Sequence, residues 1–126
     1  MKVLISDKMD ARCVEVLQED PGIGVDVKTG LGEAGLIDII GEYDALIVRS
    51  GTQVTPPILE AAHKLKVIGR AGAGVDNIDT AAATRGGIIV MNTPGGNSVS
   101  TAEHSFAMIM ALARNIPQGT ASLKAV

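Results

Sequence analysis

The stretch Val67-Ile68-Gly69-Arg70-Ala71-Gly72-Ala73-Gly74 is a short apolar run that ends in an arginine and passes directly into a glycine-rich loop. Such a run predicts a buried β-strand followed by a tight turn. A second apolar run, Ala45-Leu46-Ile47-Val48, ends at Arg49, one strand–helix repeat earlier. If the two strands are parallel neighbours, Arg49 and Arg70 leave the sheet at the same edge, where open α/β sheets bind ligands. The sequence therefore predicts a site for a small, multiply charged anion.

The rest of the chain continues this alternation of strand and helix. Strands are expected over residues 2–6, 25–28, 45–48, 67–70 and 88–91. Helices are expected over residues 11–18, 33–40, 56–63, 78–85 and 100–114, with a short helical tail after a break at 115–117. Five strands alternating with helices predict a doubly wound α/β fold whose parallel sheet has the flavodoxin-like order 2-1-3-4-5.

Local signals indicate where several helices begin and end. Thr55, followed by a proline, is typical of a helix start. Gly86 is expected to end the fourth helix in the left-handed conformation. Ser100 and Glu103 have the spacing of a capping box and are expected to open the last long helix.

Composition excludes several classes of function. A net charge of −3 and an aromatic content of 2% argue against a nucleic-acid partner. No apolar run reaches the roughly 18 residues that a membrane span needs, and the first residues turn polar too early for a secretion signal. The single cysteine, Cys13, excludes an internal disulfide and favours a reducing, cytoplasmic location.

The last long helix differs from the others because residues 106–113 are apolar on every side. Such a helix is expected to be buried all round, which one small sheet cannot achieve. It is either a core helix with one apolar outer face or a helix packed against a second domain or subunit. The second interpretation is favoured, since an exposed patch of this kind is a liability in a monomer.

The loop Gly72-Ala73-Gly74-Val75-Asp76-Asn77 looks at first like a dinucleotide-binding fingerprint. Asn77 replaces its third glycine, however, and the acid expected after the next strand, near Met91-Asn92, is absent, so no pyrophosphate site is expected. What remains is a loop whose backbone N–H groups can face a carboxylate or a phosphate. The alternative is a plain tight turn.

Other candidates keep two interpretations each. Arg49 and Arg70 either contact a ligand or form surface ion pairs. Asn97 either hydrogen-bonds a ligand or caps the helix that follows. His63 and His104 lack partners at metal-ligand spacing, so they are expected to be structural, and no metal site is expected. No convincing acid–base pair emerges.

Taken together, the motifs resemble the NAD-dependent D-2-hydroxyacid dehydrogenase family. The resemblance covers essentially the whole chain and lies mainly in residues 46–50, 67–79 and 90–98, with 2–7 and 113–117 in support. It implies a two-domain enzyme in which residues 1–97 belong to the substrate-binding domain. Residues 98–126 would form a helix that crosses to the Rossmann cofactor domain and helps to build a homodimer.

The resemblance also implies roles for individual residues. Arg49 and Arg70 would hold the phosphate of a phosphorylated 2-hydroxy acid, and the amides of Ala73 and Gly74 would hold its carboxylate. Asn97 would touch substrate or cofactor. The family's NAD fingerprint and its catalytic arginine, glutamate and histidine have no counterpart here, so no catalytic or cofactor-binding residue is expected. The isolated chain is therefore expected to be inactive and to bind no NAD.

Two alternatives remain open at this point. One is a family member whose substrate carries no phosphate. The other is a non-catalytic flavodoxin-like module that binds an anion or a protein partner.

Overall fold

The sheet and its helices are seen in a computed structural model that describes residues 1–125. The strands are β1 (Lys2–Ile5), β2 (Gly24–Val27), β3 (Ala45–Val48), β4 (Val67–Arg70) and β5 (Ile89–Asn92). The helices are α1 (Ala11–Gln18), α2 (Glu33–Ile40), α3 (Pro56–Ala61), α4 (Thr80–Arg85), α5 (Ser98–Ala113) and α6 (Ile116–Lys124). Residues Met1–Pro94 form one compact unit, and the residues from Gly95 onward form a second.

The five strands of the first unit form one parallel sheet in the order β2-β1-β3-β4-β5. The predicted order and fold class are therefore confirmed. From β1, helix α1 leads toward one edge of the sheet, whereas α2, α3 and α4 lead in the opposite direction. Since crossovers are right-handed, α1 lies on one face of the sheet and α2, α3 and α4 lie on the other. All strands consequently end at one shared edge, from which the βα loops extend.

The main core lies between the sheet and the α2–α4 layer. It is built by alternate residues of the central strands, such as Leu46, Val48 and Ile68, packed against Ile40 and Ile58 from the helices, and all five are fully buried. Each such side chain contributes about 1.5–3 kcal/mol through removal from water. This layer fixes the strands and hence the edge at which they end.

The opposite face is covered less completely. Val3 and Ile5 of β1 are buried there, but on the edge strand β5 Ile89 is 62% exposed and Met91 is 58% exposed. Successive side chains of a strand alternate between faces, and Val90, between these two residues, packs against the α2–α4 core.

The fourth helix begins and ends differently from the prediction. It starts at Thr80 rather than at residue 78, because Ile78 forms a parallel bridge with Val54 and Asp79 caps the helix by accepting from the Ala82 amide over 2.7 Å. The left-handed residue is not Gly86, whose φ is −79°, but Gly87, whose φ is +71°. Gly86 still donates to a carbonyl of the last helical turn, so the chain reverses one residue later.

The predicted capping box of the last long helix is wrong. α5 begins at Ser98, and Ser100 lies inside its first turn, where its hydroxyl donates to the carbonyl of Asn97 over 3.1 Å. Asn115, with φ +51°, separates α5 from α6 as expected. Thr55 precedes α3, but its hydroxyl donates to the carboxylate of Glu33 rather than capping the helix. The remaining bounds differ from the predicted ones by at most two residues.

The second unit consists of α5 and α6. Neither helix has a fully buried residue, and Phe106, Ile109 and Leu112 of α5 are more than half exposed. Within residues 1–125, no helix combines the length and the apolar character needed to cross a membrane.

Candidate anion-binding site

Two arginines lie at the carboxyl edge of the sheet, at the ends of neighbouring strands. Val48 pairs with Arg70 in the register of β3 and β4, so Arg49 is the next residue beyond that pair. Nε of Arg70 donates to the backbone carbonyl of Arg49 over 3.4 Å. The expectation that both arginines leave the same edge is therefore confirmed, and the two residues are in direct contact. Their part in ligand binding stays a prediction.

The guanidinium of Arg70 is enclosed by the loop that follows it. Nη1 donates to the carbonyl of Gly74 over 2.6 Å, and Nη2 lies 3.7 Å from Oδ1 of Asp76. The Arg70 side chain is 12% exposed, whereas that of Asp76 is 85% exposed. A guanidinium fixed in this way loses little rotamer freedom when it binds an anion.

The ends of two side chains lie close to the glycines of this loop. A Cβ at Gly72 would come within 2.9 Å of Nη1 of Arg70, and a Cβ at Gly74 would come within 2.7 Å of Oδ1 of Asp76. Neither glycine has a positive φ. The loop therefore uses glycine to fold tightly around the arginine rather than to adopt a left-handed backbone.

Two backbone amides of the loop are free of protein acceptors. In the part of the chain that the structure describes, the N–H groups of Ala73 and Gly74 donate to no protein atom. The carbonyl side of the loop is held instead: Nδ2 of Asn92 donates to the carbonyl of Ala73 over 2.6 Å, and the amide of Thr93 donates to that of Gly72 over 3.0 Å. Free N–H groups beside a guanidinium form an arrangement that suits a carboxylate or a phosphate.

Arg49 presents its side chain to solvent from a backbone that is firmly held. Its guanidinium is exposed, and among the described residues its one hydrogen bond goes from Nη1 to the carbonyl of Lys8 over 3.2 Å. Its backbone N–H donates to Oδ2 of Asp7 over 2.6 Å. Most N–H groups of the guanidinium are thus available to an external anion.

Asp7, directly after β1, organises the loop that carries Arg49. Besides the Arg49 amide, its carboxylate accepts from the Thr52 amide over 3.1 Å and from Oγ1 of Thr52 over 2.8 Å. Burial raises the pKa of Asp7, but the hydrogen bonds from Arg49, Thr52 and the Gly51 amide outweigh burial and hold the pKa below its ordinary value. Asp7 is therefore a charged anchor of this loop.

Asn77 joins the two arginine loops and was missed by the sequence interpretation, which treated it only as a replaced glycine. Its side chain is 5% exposed, and Nδ2 donates over 2.7 Å both to the carbonyl of Arg49 and to that of Thr52. No local pattern identifies this role, because the partners lie on a different βα loop.

The fifth predicted residue, Asn97, belongs to the second unit. It directly precedes α5, its carbonyl accepts from the amide of Thr101 over 2.9 Å, and its side chain makes no capping hydrogen bond. The interpretation of its side chain as a helix cap is therefore wrong. A contact with substrate or cofactor stays a prediction.

Two cavities border the loops of this site: Arg70 contributes to the lining of one, and Gly51 and Thr52 contribute to the lining of the other. A shallow cavity of about 250 Å³ is lined by Arg70, Gly69 and Met91, among others. A second, of about 420 Å³, lies between the starts of α2 and α3 and has Leu36 and Ile58 in its lining but no cation. The first is therefore the better place for an anionic ligand.

Groups for metal binding or acid–base chemistry do not assemble at this edge. Over residues 1–125, no set of three His, Cys, Asp or Glu side chains is arranged to hold a metal ion. His63 and His104 are both exposed, and they belong to different units. The chemistry that the edge offers is recognition of negative charge.

Comparison with known proteins identifies the family to which this chain belongs. Residues 3–124 match the family described as D-isomer specific 2-hydroxyacid dehydrogenase, catalytic domain. The chain belongs to this family, and the resemblance found in the sequence is confirmed.

Individual relatives are more specific. D-3-phosphoglycerate dehydrogenase of Synechocystis is 55% identical over 123 residues, which cover 98% of this chain and 22% of the relative. The enzyme of the same name from Homo sapiens is 56% identical, with 98% of this chain and 23% of the relative covered. The chain thus spans less than a quarter of the length of these relatives.

Solved structures agree with the fold. The TT0316 protein of Thermus thermophilus superimposes with a TM-score of 0.86 at 31% identity, over 99% of this chain and 40% of that chain. The NAD⁺-bound 3-phosphoglycerate dehydrogenase of Entamoeba histolytica gives a TM-score of 0.78 at 34% identity, over 88% of this chain and 38% of that chain.

Proposed function

We propose that this chain is the substrate-binding part of an NAD-dependent D-3-phosphoglycerate dehydrogenase. The whole enzyme would oxidise 3-phosphoglycerate to 3-phosphohydroxypyruvate, a step toward L-serine, by moving a hydride to NAD⁺. The observation that carries the proposal is the contact between Arg49 and Arg70 at one sheet edge, beside two amides that have no protein acceptor within residues 1–125. Similarity to enzymes of that name supports it.

In this proposal the site holds both ends of the substrate. Arg49 and Arg70 bind the phosphate, for which guanidinium groups are well suited. The amides of Ala73 and Gly74 bind the carboxylate, and Asn97 touches substrate or cofactor. Fixing both ends places the reacting carbon between them, which lowers the entropic part of the barrier for a reaction at that carbon.

NAD does not fit the residues of this chain. The loop that resembles a dinucleotide fingerprint carries buried Asn77 where close packing needs glycine, and its own guanidinium fills the space beside Gly72 and Gly74. At the end of β5, where an acid for the ribose would be needed, stands Asn92, whose side-chain amide donates to the loop. In this proposal NAD binds to the rest of the longer enzyme, which would also supply the groups for hydride transfer.

Calorimetric titration tests the proposal. The chain should bind 3-phosphoglycerate and bind D-lactate at least tenfold more weakly, because D-lactate lacks the phosphate dianion. Arg49→Ala should weaken only the binding of 3-phosphoglycerate. Equal affinity for the two acids, or no effect of Arg49→Ala and Arg70→Ala, would instead favour a family member with an unphosphorylated substrate.

A second assay addresses the isolated chain. Because its residues do not fit NAD, we expect the purified chain to oxidise no NADH in the presence of 3-phosphohydroxypyruvate. Measurable turnover by this chain would contradict that expectation.

We also propose that the chain forms a homo-oligomer through residues 100–114. Phe106, Ile109 and Leu112 of α5 are 66%, 61% and 67% exposed, more apolar surface than a monomeric helix usually presents. Phe106→Glu should shift the chain to monomer in sedimentation experiments, whereas Gln118→Glu on α6 should not. A monomeric unmodified chain would refute this proposal.

A further inference from the structure

The backbone carbonyl of Arg49 is the point at which the two arginine-bearing loops meet. It accepts from Nδ2 of Asn77 over 2.7 Å and from Nε of Arg70 over 3.4 Å. Nδ2 of Asn77 also donates to the carbonyl of Thr52 over 2.7 Å. One amide group therefore bridges both ends of the segment 49–52 to the loop that contains the free amides of Ala73 and Gly74.

The chemistry of Asn77 shows that it acts as a hydrogen-bond donor rather than as a space filler. The residue is 5% exposed, and among the described residues its Oδ1 has no hydrogen-bond partner. A buried acceptor without a partner is destabilising, and an apolar side chain would fill the same space without that penalty. The favourable contribution of the Asn77 side chain therefore comes from Nδ2, whose two N–H groups match the two carbonyls to which it donates.

Building on the proposed function, we propose that Asn77 is a positioning residue that sets the separation of the two arginines for the phosphate end of the ligand. It touches neither guanidinium, so it acts through the backbone of Arg49. Loss of its two bonds frees the segment 49–52 on the side away from Asp7. Arg49 then samples many positions relative to Arg70, and a ligand that needs both cations binds more weakly.

Three variants separate positioning from general stability. Asn77→Ala removes both bonds. Asn77→Asp keeps the shape but places oxygen atoms against the two carbonyls, so it should have the larger effect. Asp79→Ala is the matched control. It removes a partly buried hydrogen bond of the same loop, the one that the Asp79 carboxylate accepts from the Ala82 amide, and this bond does not involve segment 49–52.

Two measurements on the full chain decide the matter. The first is backbone ¹⁵N relaxation of residues 49–52, without ligand. Order parameters there should fall from about 0.85 toward 0.6 in Asn77→Ala and stay unchanged in Asp79→Ala. The second is calorimetric affinity for 3-phosphoglycerate, which should fall about tenfold in Asn77→Ala and less than twofold in the control.

The outcomes distinguish this inference from the function on which it rests. Unchanged order parameters in Asn77→Ala, or an equal loss of affinity in Asp79→Ala, would overturn the positioning role. If the unmodified chain binds no 3-phosphoglycerate, the proposed function fails, and the relaxation data alone decide whether Asn77 orders the segment. If Asn77→Asp does not fold, Asn77→Ala provides both measurements.

Discussion

Replacing Asp7 by alanine is the perturbation whose effect follows most directly from the structure. The change removes the hydrogen bonds to a carboxylate, among them those from the Arg49 amide at 2.6 Å, Oγ1 of Thr52 at 2.8 Å and the Thr52 amide at 3.1 Å. Hydrogen bonds to charged groups contribute about 1.5–3 kcal/mol each when they are buried. Asp7 is only partly buried, so hydrogen bonds to water compensate for much of this contribution when the carboxylate is removed. We therefore expect a total loss of about 2–3 kcal/mol in the free energy of unfolding.

The effect should depend on pH in a defined direction. The folded-state pKa of Asp7 lies below its ordinary value of 3.8, because the hydrogen bonds outweigh burial. Its contribution to stability is then complete above the ordinary value and is lost as the pH falls through the folded pKa. The difference between the unmodified chain and Asp7→Ala should therefore be constant between pH 7 and pH 5 and should shrink at pH 3 and below.

Urea unfolding followed by circular dichroism at these pH values measures the difference. Asp10→Ala is a suitable control, because it removes only a helix cap at the Arg12 amide and should cost about 1 kcal/mol. A difference for Asp7→Ala that is below 0.5 kcal/mol at pH 7, or that stays constant down to pH 2, would refute the reasoning.

The other predictions concern single contacts. Arg70→Lys keeps the charge but loses the planar fork, so affinity for 3-phosphoglycerate should fall about tenfold in calorimetry; unchanged affinity would show that charge alone suffices. The hydrogen bond from Tyr43 is the main cause that lowers the pKa of Asp26, so in Tyr43→Phe an NMR titration should find that pKa higher, and an unaltered value would contradict the assignment. Gly87→Ala should destabilise the chain by about 1–2 kcal/mol because φ is +71°, whereas Gly86→Ala should cause no loss in thermal unfolding; equal effects would be inconsistent with the observed turn.

The sequence predicted the parts of the fold that depend on local periodicity. Apolar runs of four residues located the strands, and their alternation with helices gave the strand order, from which the shared edge of Arg49 and Arg70 followed. The start of α4 was misplaced because Ile78 is drawn into a bridge with Val54, a contact between distant segments. Periodicity within a single segment carries no information about such a contact.

The same limit explains what was missed in the candidate site. Asp7 acts on residues 42 and 45 positions away, and Asn77 acts on residues 28 and 25 positions away. Each is an ordinary polar residue in its own neighbourhood, and only the folded chain brings its partners within reach. The close approach of the Arg70 guanidinium to Gly72 and of the Asp76 carboxylate to Gly74 was likewise not evident from the sequence.

The strand order also has a consequence for synthesis. β1 lies between β2 and β3, so its apolar residues lack one neighbour until Val48 has left the ribosome. At a synthesis rate of about 5–20 residues per second, the interval between the appearance of β2 and that of β3 lasts a few seconds. During this time one side of β1, an interior strand of the finished sheet, stays available to other nascent chains and to chaperones.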